Sequence, residues 1–139
     1  MIREFSAGGV CVRRMRGRDW LAGVRVKGGT VLALPKGHID GDETSAEAAE
    51  RELREEAGVD GALVGKLGDV RYWYNRGGQR VMKNVAFFLF RYRSGSVANH
   101  DHEVDSAEWV PLEEAPRLLS YRGEREMAEA ALSALASGR

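Results

Sequence analysis

The sequence predicts a single α+β domain over residues 1–139, with an α/β/α layering of helices and a mixed sheet. Segments rich in β-branched and aromatic residues flank one central helical pattern, and two more helical patterns follow near the C-terminal end. Mixed strands with helices at the middle and the end are typical of this class. A chain of 139 residues is long enough for one core, and we find no internal repeat or low-complexity linker.

Three strands are predicted before the central helix, at residues 5–12, 20–26 and 30–34, with glycine-containing turns between them. Gly8 and Gly9 lie inside the first strand. They indicate either a β-bulge or a group that approaches the backbone closely. Cys11 is the single cysteine, so we expect a small buried strand residue rather than a disulfide partner.

The central helix is predicted to begin near Thr44 and to end at Gly58, a length of about 14 residues. Residues 44–47 fit a capping box, although Asp42 is an alternative N-cap, and glycine is a common terminator. A narrow stripe of small and apolar residues predicts that this helix packs closely on a sheet. The stripe consists of Ala46, Ala49, Leu53 and Ala57.

Residues 62–74 and 79–92 predict a hairpin, because both are rich in Val, Tyr, Trp and Phe and a glycine-containing turn separates them. Alternation places Tyr72 and Tyr74 on one face and Trp73 on the other, so we expect at least one ring to lie in the core. Residues 93–101 predict a loop and 108–110 a short strand. Helices are expected at 112–120 and 124–136.

Charge and apolar length exclude several classes of function. The 21 basic and 21 acidic residues cancel, so no global field favours nucleic acid or an anionic membrane as a partner. Apolar runs such as 85–90 are far shorter than the roughly 20 residues that a membrane helix needs. Charges near the N-terminus interrupt any signal-peptide pattern, and we therefore expect a cytoplasmic protein.

Three carboxylates share one face of the central helix, because Glu52, Glu55 and Glu56 are related by i,i+3 and i,i+4 spacing. Like charges at this spacing destabilise a helix, and a hard divalent cation such as Mg²⁺ or Mn²⁺ would compensate them. The alternative is a solvated acidic face, in which Arg51 pairs with Glu47 and Glu55.

The spacing around this helix resembles the Nudix box. Five residues separate Gly37 from Glu43, seven more precede Arg51, and residues 51–59 read RELREEAGV. The resemblance implies a Nudix-type α/β/α sandwich with a mixed sheet. It also implies metal-dependent hydrolysis of a nucleoside diphosphate linked to another group, by water that attacks phosphorus.

The resemblance also assigns roles to residues of the box. It implies that Glu52 and Glu56 are the principal ligands of Mg²⁺ or Mn²⁺. Glu55 would lie nearby, and the carbonyl group of Gly37 would be a further ligand. Glu43 and Arg51 would brace the loop against the helix.

A general base must accept the proton of the attacking water, and the sequence leaves several candidates open. Glu55 and Glu56 lie inside the box, whereas Asp101 and Glu103 lie on the loop before the last strand. We favour Glu103, because its surroundings resemble an acidic loop found in several members of the family.

Four residues outside the box are candidates for substrate binding. Residues 35–38 resemble the entry to the box in hydrolases of diadenosine polyphosphates and of diphosphoinositol polyphosphates and in some MutT-type enzymes, and the ammonium of Lys36 suits a phosphate. Tyr74 lies about where the family's diadenosine polyphosphate hydrolases carry a characteristic tyrosine, and a purine could stack on such a ring. Lys83 and Arg80 are candidates for distal phosphates, with Lys83 preferred.

We therefore predict a hydrolase of small nucleotides, with dinucleoside polyphosphates such as diadenosine polyphosphates as the first substrate class. Alternatives are a MutT-type enzyme that removes modified (deoxy)nucleoside triphosphates, an ADP-ribose hydrolase and an RNA 5′-pyrophosphate hydrolase. A nucleotide-sensing domain without turnover is a further alternative. The sequence leaves a monomer and a homodimer equally open.

Overall fold

The computed structural model describes residues 1–138, which form one sheet with helices on both faces. The elements in chain order are β1 (Ile2–Met15), β2 (Arg18–Val26), β3 (Val31–Ala33), β4 (Lys36–His38), α1 (Ser45–Ala57), β5 (Val59–Arg76), β6 (Gln79–Gly95), β7 (Ser106–Pro111), α2 (Ala115–Leu118) and α3 (Arg122–Ala136).

The sheet has the main order β3-β2-β1-β6-β5, with β4 beside β1 and β7 beside β2. Strands β1 and β6 are parallel and the other pairs are antiparallel. Alternate residues of β1 and β6 face two separate hydrophobic clusters, one packed under α1 and the other under α2 and α3. The predicted α/β/α sandwich with a mixed sheet is confirmed.

Helix α1 begins and ends as the sequence predicts. Thr44 is the N-cap, and its hydroxyl group and the Glu47 carboxylate each accept the other residue's backbone N–H, which completes the capping box. Gly58 takes a left-handed conformation with φ of 75° and closes the helix. The buried face is shifted from the predicted stripe, because Ala48 is fully buried whereas Ala46 is only partly so.

Gly8 marks a close approach rather than a bulge, since the register of β1 with β6 is unbroken from Ile2 to Val12. A Cβ atom at Gly8 would lie 2.6 Å from a ring carbon of Phe87 and 2.6 Å from the Pro35 carbonyl oxygen. Real Cβ contacts are longer than this, so the sheet can pack as it does only with glycine here.

Several boundaries differ from the predictions. The strands of the long hairpin extend further, and part of the predicted loop 93–101 belongs to β6 and to a 3₁₀ turn at Val97–Asn99. The first C-terminal helix keeps only Ala115–Leu118 of the predicted 112–120, and the sequence does not predict β4. Strand β4 contains a glycine and exists because β1 pairs with it, which local sequence does not reveal.

The expectation that one ring of the β5 aromatic cluster lies in the core is wrong. Tyr72 and Trp73 are 41% and 48% exposed, and Tyr74 is half-buried. Both faces of this end of the hairpin are therefore partly open to solvent.

Cys11 is fully buried, and burial raises the pKa of its thiol to about 12, so it is an inert packing residue.

Among residues 1–138, no helix has the length and apolar character that crossing a membrane requires.

Candidate active site

Gly37 in β4 faces the first of the helix carboxylates. A Cβ atom at this position would overlap the carboxylate group of Glu52, so only glycine lets β4 lie this close to α1. Glu52 is 7% exposed, although charged side chains are seldom buried without a partner. Burial raises its pKa, and the charges of Glu55 and Glu103 act in the same direction.

Glu56 lies one helical turn further along α1 and contacts the same strand. The backbone N–H of Lys36 donates to its Oε1 at 3.0 Å. Burial raises the pKa of Glu56 to about 7, and the negative charges of Glu52 and Asp101 add to this effect. The cluster therefore concentrates negative charge that its surroundings only partly neutralise.

Arg51 joins the loop before α1 to the helix carboxylates. Its guanidinium donates to both oxygens of Glu43, at 2.7 and 3.0 Å, and to the His38 carbonyl oxygen at 2.9 Å. It also donates to Glu52 at 2.7 Å and to Glu55 at 3.1 Å. These contacts suit the bracing role expected for Glu43 and Arg51, while any part in catalysis stays a prediction.

We expect Arg51→Lys to lower kcat/KM about tenfold, because an ammonium cannot make the two parallel bonds to Glu43 while still contacting Glu52 and the loop. The matched control is Arg54→Lys, since Arg54 is exposed on the same helix and lies 3.6 Å from Asp60. Equal activity of the two variants in steady-state assays would show that the Arg51 fork is dispensable.

The carboxylates fit a divalent cation that keeps part of its water shell. Among residues 1–138, no three His, Cys, Asp or Glu side chains already form a cage around one position. Mg²⁺ requires no such cage, because it usually binds one or two carboxylates together with waters and substrate phosphates. Glu52 and Glu56 provide this pair where β4 lies against α1, with Glu55 held next to them by Arg51.

The loop after β6 brings the two other acidic candidates towards α1. The backbone N–H of Asp101 donates to the Glu55 carbonyl oxygen at 2.9 Å, and its side chain accepts from the Glu103 backbone at 3.0 Å. Asp101 contributes to the raised pKa of Glu56, and Glu103 to that of Glu52. The choice among Glu55, Glu56, Asp101 and Glu103 as general base stays open.

Lys36 does not present a free ammonium to the site. Its Nζ lies 2.8 Å from Oε2 of Glu124 in α3 and 5.5 Å from the centre of the Tyr121 ring. Burial disfavours the charged lysine, but the attraction of Glu124 and Glu56 outweighs it and raises the pKa. A phosphate that binds Lys36 would have to share the ammonium with Glu124.

A cavity of about 620 Å³ lies between the hairpin and the start of α3, on the sheet face opposite α1. Tyr72 and Tyr121 line it, together with Val85 and Phe87 of the sheet. Lys36 is shared between the cavity and the carboxylate cluster, since its side chain lines the first and its backbone binds the second. The cavity and the carboxylate cluster therefore meet at this residue.

Sequence reasoning missed Tyr72, Tyr121 and Glu124. Alternation along β5 places Tyr72 and Tyr74 on one face, but it cannot show which of the two rings lines the cavity. Tyr121 and Glu124 come from the end of the chain, and no local pattern connects that region to the box.

Tyr74 and Arg80 do not line the cavity, and their substrate-binding roles stay predictions. The Tyr74 hydroxyl donates to Glu4, whose other oxygen accepts from Arg76 at 2.9 Å. Arg80 lies over the Trp73 ring at 5.8 Å, on the opposite face of the hairpin.

Lys83 is placed differently from Arg80. It pairs with Tyr72 in the register of β5 and β6, so its side chain shares the cavity face of the sheet. Its role in binding a phosphate stays a prediction.

Comparison with protein families gives one match over most of the chain. The family model described as "NUDIX domain" matches residues 3–131.

Curated relatives match over different lengths. A protein of Mycobacterium tuberculosis (strain CDC 1551 / Oshkosh) named MutT4 is 38% identical over 136 residues, which are 94% of this chain and 55% of the relative. An 8-oxo-(d)GTP phosphatase of Mycolicibacterium smegmatis is 35% identical over 95 residues, 68% of this chain and 28% of the relative. The asymmetrical bis(5′-nucleosyl)-tetraphosphatase of Mus musculus is 30% identical over 63% of this chain and 60% of the relative. The chain thus spans less than two thirds of each of these three relatives.

Solved structures with the same fold include a C. elegans Ap4A hydrolase in a binary complex. The TM-score is 0.72 at 22% identity, over 96% of this chain and 98% of that one. The NUDIX domain of Shewanella oneidensis NrtR, complexed with ADP-ribose, has a TM-score of 0.74 at 18% identity, over 97% of this chain and 90% of that one. At these identities the likeness shows the fold alone.

Proposed function

The chain belongs to the Nudix hydrolase family, and we propose that it hydrolyses a phosphoanhydride bond of a nucleoside polyphosphate with bound Mg²⁺ or Mn²⁺. The observation that supports this most is the position of Lys36, whose side chain lines the cavity while its N–H holds Glu56. A nucleoside in the cavity would therefore extend its phosphates towards the carboxylates of α1.

Each residue of the site has a distinct part in this proposal. Glu52 and Glu56 bind the cation, and Arg51 keeps Glu52 and Glu55 oriented through its contacts with the loop. When bound, the ion supplies neutralisation of phosphate charge and activation of the attacking water. A carboxylate of α1 or of the acidic loop accepts the proton, with Glu103 as our first candidate.

The cavity suits a planar base, because Tyr72 and Tyr121 line it together with apolar residues of the sheet. We expect Tyr72→Ala to raise KM about tenfold and to change kcat less, since stacking on an aromatic ring contributes roughly 1–3 kcal/mol per base. Tyr74→Ala is the matched control, because Tyr74 bonds Glu4 instead. A larger KM effect for Tyr74 in the same assay would contradict this placement.

Two substrate classes fit the site. Dinucleoside polyphosphates are the first, supported by the likeness to the mouse tetraphosphatase. Modified nucleoside triphosphates are the second, supported by the likeness to the M. smegmatis 8-oxo-(d)GTP phosphatase. The pairing of Lys36 with Glu124 and of Tyr74 with Glu4 weakens two reasons for placing the first class ahead.

Turnover of a nucleotide panel tests the proposal and separates the two classes. The panel contains dinucleoside polyphosphates, normal and oxidised nucleoside triphosphates, ADP-ribose and a 5′-triphosphorylated RNA. We expect Mg²⁺- or Mn²⁺-dependent products from one of the first two classes, and none after EDTA. Tight binding without product would favour a sensor, and undiminished activity in EDTA would contradict the metal role.

A further inference from the structure

Glu124 is a buried carboxylate at the start of α3, far in sequence from the carboxylates of α1. It is only 3% exposed, and both of its oxygens are used. Oε1 accepts the backbone N–H of Leu34 at 2.8 Å, and Oε2 lies 2.8 Å from Nζ of Lys36. One side chain thus holds the residues on both sides of Pro35.

The segment that Glu124 holds leads directly to the proposed metal ligands. The Pro35 carbonyl oxygen accepts from Gly9 of β1 at 3.1 Å, which ties the segment to the sheet. The N–H of Lys36 donates to Glu56 at 3.0 Å. The next residue, Gly37, lies against Glu52. Movement of this segment would therefore move the partners of both carboxylates.

We propose that Glu124 is a positioning residue, which fixes the segment from Leu34 to Gly37 so that Glu52 and Glu56 are held in the arrangement that binds the cation. This inference rests on the proposed metal-dependent function. It gives a reason for burying the ion pair with Lys36, since such pairs contribute little net stability. It also connects the wall of the cavity, through Tyr121 and α3, to the carboxylates on the other sheet face.

Two conservative substitutions of Glu124 distinguish the effect of its side-chain length from the effect of its charge. Glu124→Asp keeps the charge near Lys36 but withdraws the carboxylate by one methylene group, so it cannot hold both partners. Glu124→Gln keeps the length and still offers one oxygen to Leu34. If Glu124 only neutralised Lys36, the aspartate variant would behave like the wild type and the glutamine variant would be impaired.

The readouts are Mn²⁺ affinity without nucleotide, by calorimetry, and hydrogen exchange of the Leu34 and Lys36 amides in metal-free protein. We expect Glu124→Asp to weaken Mn²⁺ binding about tenfold, the size of effect typical of residues that orient metal ligands, and to speed exchange at both amides. Glu124→Gln should keep slower exchange at the Leu34 amide than Glu124→Asp, because its oxygen still accepts that N–H while its NH₂ group cannot accept from Lys36. Glu129→Asp is the matched control, because Glu129 is exposed on the same helix and should change neither.

Wild-type Mn²⁺ affinity and unchanged exchange in Glu124→Asp would overturn the inference, even if its melting temperature fell. Faster exchange at the Leu34 amide in the glutamine variant than in the aspartate variant would also overturn it. The exchange measurement requires neither metal nor substrate. A wild type that turns over no nucleotide would therefore count against the proposed function, whereas unchanged exchange would count against the role of Glu124.

Discussion

Glu56→Gln should abolish turnover and at the same time make the metal-free protein more stable at pH 8. Activity should fall by more than about 100-fold, because this change removes a proposed metal ligand. Loss of a residue that only orients a metal ligand typically lowers activity or metal affinity by about 10–100-fold. The gain in stability follows from the raised pKa of Glu56, about 7 in the fold against 4.5 for an unperturbed group.

The sign of the pH dependence follows from linkage. A carboxyl group whose pKa is raised by folding contributes stability that is fully present below pH 4.5 and is lost as the pH rises through about 7. At pH 8 the folded protein carries an ionised, half-buried Glu56, at a cost on the order of 2 kcal/mol after solvent screening is allowed for. Glutamine has no charge to bury, and its oxygen can still accept the Lys36 N–H.

Denaturant unfolding in EDTA at pH 5 and pH 8 measures this effect. We expect the wild type to lose stability between the two values and the variant to lose less. Glu50→Gln on the same helix is the control, since Glu50 has only a 3.8 Å contact with Arg93. A Glu56→Gln protein that is less stable than the wild type at pH 8 in EDTA would contradict the assigned burial of this charge.

Gly37→Ala should be nearly as damaging to activity, for a purely steric reason. The new Cβ atom would overlap the carboxylate of Glu52, which is buried and held by Arg51. Either β4 or Glu52 must move, and a displacement of about 1 Å at a catalytic site can cost roughly 100-fold in rate. Overpacking should also cost about 1–3 kcal/mol of stability.

Gly65→Ala is the matched control for this change, because Gly65 lies in β5 and no heavy atom stands within 4 Å of the position of its Cβ. We expect this variant to keep wild-type kcat/KM and Mn²⁺ affinity. Wild-type Mn²⁺ affinity of Gly37→Ala in calorimetry would contradict the proposal that Glu52 is a metal ligand positioned by β4.

The sequence predicts those features of the fold and the site that depend on local or periodic residue patterns. The ends of α1 follow from Thr44 and Gly58, and the shared face of Glu52, Glu55 and Glu56 follows from helical spacing. The class of fold follows from the order of strands and helices. These features depend on residues that are neighbours along the chain.

The rest depends on contacts between distant segments. Lys36 and Glu124 are 88 positions apart, so the pairing that occupies the lysine has no local signature. The choice between Tyr72 and Tyr74 depends on where α3 begins and on the partner that Glu4 offers to Tyr74. Strand β4 likewise forms because β1 pairs with it.

Hydrolysis in ¹⁸O-labelled water tests the central claim most directly. The best substrate of the panel is turned over with Mg²⁺, and the products are analysed by mass spectrometry for the wild type and for Glu56→Gln. We predict one ¹⁸O atom in a phosphate group of one product for the wild type, and essentially no product for the variant. Label outside the phosphates, or wild-type turnover by Glu56→Gln, would contradict metal-assisted attack of water on phosphorus at this site.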